Sequence, residues 1–129
     1  MPSVRVLGNR FTDPVKERVA RALCSDLKRI LKAPIGETYF EEFDKYYVEK
    51  ETFTVCDGTN SPGCVTLIIN GPVLDQEGLQ ELCAALTDSF QKAVGDPDYE
   101  VIFVYHPIDG NHIGSKGQLH ALRGKGKKQ

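Results

Sequence analysis

The same order of strand, capped helix and strand occurs twice in this chain, at an offset of 63 residues. That shift lays Val4 on Leu67, Val6 on Ile69, Thr12 on Asp75, Val19 on Leu82, Leu23 on Leu86, Leu27 on Phe90 and Phe40 on Phe103. Caps fall on caps and apolar positions on apolar positions, with few identities. A sheet face and a helix stripe must be buried against each other, and connections of this kind keep one hand. The pattern therefore predicts an α/β fold of two tandem β-α-β units, a four-stranded mixed sheet with two helices on one face. The opposite sheet face stays rich in Val, Ile, Leu, Phe and Tyr, which implies a partner, and identical subunits are the simplest one.

The first unit is placed at 2–49. Residues 2–8 alternate and are β-branched, which predicts a strand. Thr12 is the expected N-cap, with Asp13 and Pro14 in the first turn. Val15, Val19, Ala22, Leu23, Leu27, Ile30 and Leu31 form one helical stripe that stops near Lys32-Ala33-Pro34. A second strand starts at Thr38 and runs on through a bend. Residues 50–63 read as a long loop. The second unit, 64–106, holds a strand over Val65–Asn70, a helix capped by Asp75 and stopped by Gly95-Asp96-Pro97, and a strand over Tyr99–His106. Residues 107–122 form a closing segment, a hairpin or extra strand, before a basic tail at 123–129.

Charge narrows the partners. Arg123, Lys125, Lys127 and Lys128 crowd the end of the chain; without them twelve basic side chains face eighteen acidic ones, a net of −6. A body that acidic argues against nucleic acid. No apolar run is long enough for a membrane span, and no signal-peptide pattern opens the chain, so a cytoplasmic location is expected. The four cysteines lack the close spacing of zinc knuckles, and no metal or other cofactor is expected. A Cys56–Cys64 disulfide is sterically conceivable but disfavoured in a reducing compartment.

Pro2 is the principal candidate for chemistry. Methionine before a small residue is normally trimmed, and that would leave Pro2 as a free secondary amine in a rigid ring. An α-amino group titrates near 7.7–8, and apolar surroundings or a nearby cation lower it toward neutrality. Such a base can take a proton next to a carbonyl and return it elsewhere. Arg10, just past strand one, is either a carboxylate clamp or a solvated turn arginine. Lys32 ends helix one, where a cation also simply suits the dipole. Tyr39, Tyr46, Tyr47 and Tyr105 could orient a carbonyl, although strand tyrosines are usually packing residues. His106 and His112 read as edge histidines. Nucleotide-loop and nucleophile-elbow motifs do not occur in the sequence.

Met1-Pro2 opening a strand, Arg10 at the strand–helix turn, Lys32-Ala33-Pro34-Ile35 before strand two and Val101-Ile102-Phe103-Val104-Tyr105-His106 closing the second unit resemble the tautomerase superfamily. That superfamily includes 4-oxalocrotonate tautomerase, the malonate semialdehyde decarboxylase and chloroacrylate dehalogenase branches, and macrophage migration inhibitory factor. The length suits its fused, two-unit branches. The resemblance implies a homotrimer with one site per chain and a keto–enol isomerase acting on a small α-keto or unsaturated carboxylic acid. It implies Pro2 as the base, with Arg10, Lys32, Tyr39 and Tyr105 as substrate-binding residues. Tyr39 falls where short tautomerases carry a second arginine, a departure that weighs against the usual dicarboxylate. The alternatives are a hydratase-dehalogenase or decarboxylase on the same fold, and a non-catalytic ferredoxin-like binding or assembly module.

Overall fold

A computed structural model describes residues 2–49, 51–57 and 63–126. Strand β1 (Ser3–Gly8) leads into helix α1 (Asp13–Leu31), which returns to β2 (Glu37–Glu42), parallel to β1. Strands β3 (Lys45–Glu49) and β4 (Phe53–Asp57) make a separate antiparallel pair. The second unit runs through β5 (Cys64–Gly71), α2 (Gln76–Val94) and β6 (Glu100–Pro107), with β6 parallel to β5. Two-residue strands β7 (Gly114–Ser115) and β8 (Gln118–Leu119) and helix α3 (His120–Gly126) end the described chain. The main sheet has the order β2-β1-β5-β6, antiparallel only where β1 meets β5. This is the expected mixed sheet with both long helices on one face.

The two long helices coincide under the 63-residue offset at both ends. Their caps differ. Asp75 accepts a hydrogen bond from the Gly78 amide at 2.8 Å, whereas Thr12 holds the extended N-cap backbone with no side-chain cap bond. Pro14, fixed near helical φ, contributes to starting α1 instead. The core is Val4, Val6, Val65, Leu67 and Ile69 of the sheet against Val19, Leu23, Leu27, Leu82, Leu86 and Phe90 of the helices. Those residues alternate along the strands and repeat every three or four along the helices, so each element presents one apolar face.

A pseudo-twofold axis relates the units. Arg5 pairs in the ladder with Ile68, its own counterpart at the offset. Between the helices, Ser89 Oγ donates to Asp26 Oδ2 at 2.5 Å, again a residue and its counterpart. Asp26 is buried but satisfied, since Arg29 also donates to it at 3.3 Å.

Three expectations are corrected. The 50–63 loop holds a strand: Phe53–Asp57 pairs with Lys45–Glu49, while Lys50 and residues 58–62 lie outside the described residues. The ladder puts Tyr105, not Phe103, in the place of Phe40, because Val6 pairs with Phe40 and its counterpart Ile69 pairs with Tyr105. The slip is two residues, so the same face stays inward. The open sheet face is also less apolar than expected. Phe40, Phe103 and Tyr105 pack toward the helices, leaving Leu7, Tyr39, Ile68, Ile102 and Val104 among Ser3, Arg5, Glu41, Thr66 and Asn70. There Arg5 makes a two-pronged ion pair with Glu41, at 2.5 and 3.0 Å.

Candidate active site

Pro2 is buried at the start of β1, its carbonyl accepting from the Glu37 amide at 3.3 Å. Beside it α1 ends. Lys32 takes the left-handed C-cap conformation, φ 52° and ψ 44°, and its amide bonds the Lys28 carbonyl. Non-glycine residues enter that region at a cost of about 1–2 kcal/mol. Its counterpart in α2 is Gly95, left-handed at φ 76° without that cost. Pro34 then turns the chain out of the helix, and only glycine fits at position 36, because a Cβ there would lie 2.9 Å from the Cys24 carbonyl oxygen.

The facing wall is the end of β5. A Cβ on Gly71 would run into the Tyr105 hydroxyl, and that hydroxyl donates to the Pro72 carbonyl at 2.5 Å. Burial pushes the Tyr105 phenol up to about 12, which keeps it a donor across the physiological range. The closing segment forms the roof. Ile108 N–H donates to the Gly71 carbonyl at 2.7 Å, His120 N–H to Ile113 at 2.9 Å and Ala121 N–H to Gly110 at 3.0 Å. Arg123 donates to Ser115 Oγ at 2.5 Å. Within this segment β7 and β8 pair antiparallel, and Arg123, assigned to a free tail, is part of α3. Lys127, Lys128 and Gln129 lie outside the described residues.

These walls enclose a cavity of about 300 Å³. Leu31, Pro34, Pro72, Ile108 and Ile113 make it apolar; Pro2, Lys32 and His120 come to it from three separate segments. Its size and its mixture of apolar walls with few polar groups suit a small organic ligand. Burial first, then neighbouring positive charge that includes Arg123, hold the His120 imidazole below its ordinary pKa.

Of the residues expected to form a site, the structure brings together Pro2 and Lys32. Arg10 is excluded from this cavity by distance: the six-residue β1 lies between, roughly 20 Å, and Arg10 pairs with Asp44 at the far end. Tyr39 lies half exposed on the open sheet face, its hydroxyl donating to Glu37, a bond that raises its pKa. Tyr105 stands behind the wall and supports Pro72 without lining the cavity. His106 and His112 are exposed and also lie off it. His120 is the residue that sequence reading missed; only the fold of the closing segment carries it to Pro2. Among the described residues no cluster of metal-ligating side chains occurs, and no helix is long and apolar enough to cross a membrane.

Neither a protein-family profile nor a curated protein sequence matches the chain. Solved structures do. Pt0534 inactivated by 2-oxo-3-pentynoate superposes with a TM-score of 0.76 at 16% identity, over 95% of this chain and 98% of that one. The wild-type symmetric trimer of Q0 fused 4-OT gives 0.71 at 17% identity, with the same coverage. N1, a member of the cis-3-chloroacrylic acid dehalogenase family, gives 0.72 at 18% identity over 91% of this chain and 82% of that one. Two β-α-β units, antiparallel at the centre of one shared sheet, give this chain the tautomerase fold seen in the fused 4-OT structures.

Proposed function

We propose that this chain is a tautomerase-superfamily isomerase that uses Pro2 to move a proton within a small α-keto or unsaturated carboxylic acid. The observation that carries this reading is the cavity itself, lined by buried Pro2, the residue before β1, and by a lysine in a costly backbone conformation. Strained positions persist where the surrounding structure holds them, often at sites of function.

The mechanism begins with removal of Met1, a residue outside the described ones. Pro2 is then a secondary amine against Leu31, Pro34 and Ile108, surroundings that disfavour its cation and make it a competent base near neutral pH. Lys32 holds the substrate carboxylate. The amine takes the proton of an enol hydroxyl, or of the carbon beside a carbonyl, and the resulting prolinium returns it at the other position. The superposition with a symmetric fused 4-OT trimer supports a homotrimer for this chain as well, with the open sheet face inward.

The test is ketonisation of phenylenolpyruvate by the wild type and by Pro2→Ala. Loss of the base is expected to lower kcat/KM by about 10²–10⁴-fold. Equal rates in the two proteins overturn the reading, as does an intact mass showing Met1 retained. Treatment with 2-oxo-3-pentynoate is expected to add one adduct per chain, on the peptide that begins at Pro2. Light scattering at the mass of a single chain would refute the trimer.

A further inference from the structure

We propose that His120 polarises the substrate carbonyl in the Pro2 cavity. This deepens the tautomerase reading and rests on it. His120 shares the cavity with Pro2 and Lys32, among the apolar walls of Leu31, Ile108 and Ile113.

His120 is placed by structure that has no other evident use. Its amide is tied to Ile113, the next residue's amide is tied to Gly110, and Arg123 is tied to Ser115. A Cβ on Gly110 would lie 3.3 Å from the Ala121 amide nitrogen, so the two segments are pressed together at the residue beside His120. His120 is thus held on the roof, while Pro2 and Lys32 reach the cavity from the start of the chain and the end of α1. Burial and the nearby Arg123 guanidinium favour the neutral imidazole, with one ring N–H to donate.

In the enolisation direction the Pro2 nitrogen takes a proton from the carbon beside the carbonyl. The C–H pair becomes the new C=C bond, and the carbonyl π pair moves to oxygen. The His120 N–H stabilises that oxygen by a hydrogen bond and keeps its own proton. The prolinium then gives its proton to the oxygen, and the enol is complete with the amine regenerated. A single preorganised donor of this kind contributes about 10²–10³-fold in rate.

The experiment has two arms. In the first, phenylpyruvate is titrated into the wild type while the histidine ring resonances are followed by NMR. His120 is expected to shift, and the exposed His106 and His112 to serve as unmoved references. In the second, His120→Ala and His120→Gln are assayed with phenylenolpyruvate. Alanine is expected to lower kcat by about 10²-fold with KM changed less than about threefold, whereas glutamine, which keeps an N–H donor, stays within about tenfold of wild type. Wild-type kcat in His120→Ala, equal losses in both variants, or a His120 ring that does not shift overturns the role of His120. A shifted His120 in a wild type without turnover would sink the tautomerase reading and keep the ligand contact. Activity lost in Pro2→Ala but untouched in His120→Ala would do the reverse.

Discussion

The two ends of the sheet descend from one plan and are finished differently. At the first end Pro2 opens β1, and the counterpart position at the other end is Val65, inside β5, where no amine is available. Leu27 and Leu74 of the first end correspond to Phe90 and Phe11 of the second. There Phe11, Phe90 and Tyr99 fill the space with ring centroids 5.4–6.5 Å apart. The helix caps diverge as well, strained Lys32 against relaxed Gly95. One end is thus a sealed aromatic core and the other an open cavity with a charged rim. Side-chain volume at a few positions, together with the closing segment that roofs one end, distinguishes the two copies.

The sealing is the easiest part of this contrast to break. Phe90 is fully buried in the triple aromatic cluster, and Phe90→Ala is expected to cost about 3–5 kcal/mol, read by urea denaturation. A loss under about 1 kcal/mol would show that the cluster is not packed as described.

The next comparison pairs Gly71 with Gly8, its counterpart at the end of β1. A Cβ on Gly71 collides with the Tyr105 hydroxyl and comes within 3.2 Å of its ring and 3.4 Å of Leu31. A Cβ on Gly8 meets only Val65 Cγ2, at 3.3 Å, before ordinary contacts. Gly71→Ala should destabilise by about 1–3 kcal/mol by overpacking, and Gly8→Ala by less. Reversal of that order in thermal melts would mean that the Tyr105 wall yields more easily than the β1–β5 contact.

Much of this was legible in advance, and the exceptions have physical reasons. Pro14, Pro34, Asp75 and Gly95 act locally, so the helix ends could be read from short segments. The hairpin arm could not. Tyr47, Val48, Phe53 and Val55 are all exposed, and Tyr47 stacks on Phe53, so no single buried face imprinted an alternating pattern. The two-residue slip of β6 comes from long-range pairing, for β5 has eight residues where β1 has six. Pro2 and Lys32 were visible because each punctuates an element. Arg10 lies off its own chain's cavity, because sequence adjacency to a strand does not say which end faces a pocket. His120 lies in a mixed, glycine-rich stretch, and only the bonds from Ile108 to Gly71 and from Ala121 to Gly110 bring it over Pro2.

Lys32 and Gly95 allow the strain itself to be weighed against use. Lys32→Gly gives the first helix the relaxed cap of the second and is expected to stabilise the fold by about 1 kcal/mol. Removing the ammonium should at the same time weaken phenylpyruvate binding, giving a stability gain with a functional loss. Gly95→Ala should destabilise by a similar amount and leave binding unchanged. A Lys32→Gly protein that binds phenylpyruvate as tightly as wild type would remove Lys32 from the site.

The smallest expected effect separates the two ends by alkali. Burial is the leading reason that both Tyr105, behind the open cavity, and Tyr46, opposite buried Cys56 in the hairpin, are pushed up to about 12. An unfolded tyrosine ionises near 10, so in the folded protein each phenol retains its proton to higher pH. Folding therefore binds protons between about pH 10 and 12, and the stability contributed by neutral phenols, full below pH 10, is lost as pH rises through that window. Tyr105→Phe and Tyr46→Phe should each flatten the decline in urea stability over this range. They differ at neutral pH: Tyr105→Phe also removes the donor to Pro72 and should cost about 1 kcal/mol with weaker ligand binding, while Tyr46→Phe leaves the cavity intact. If both variants disturbed phenylpyruvate binding equally, the two ends would not be independent, and the division of this fold into a sealed copy and a working one would fail.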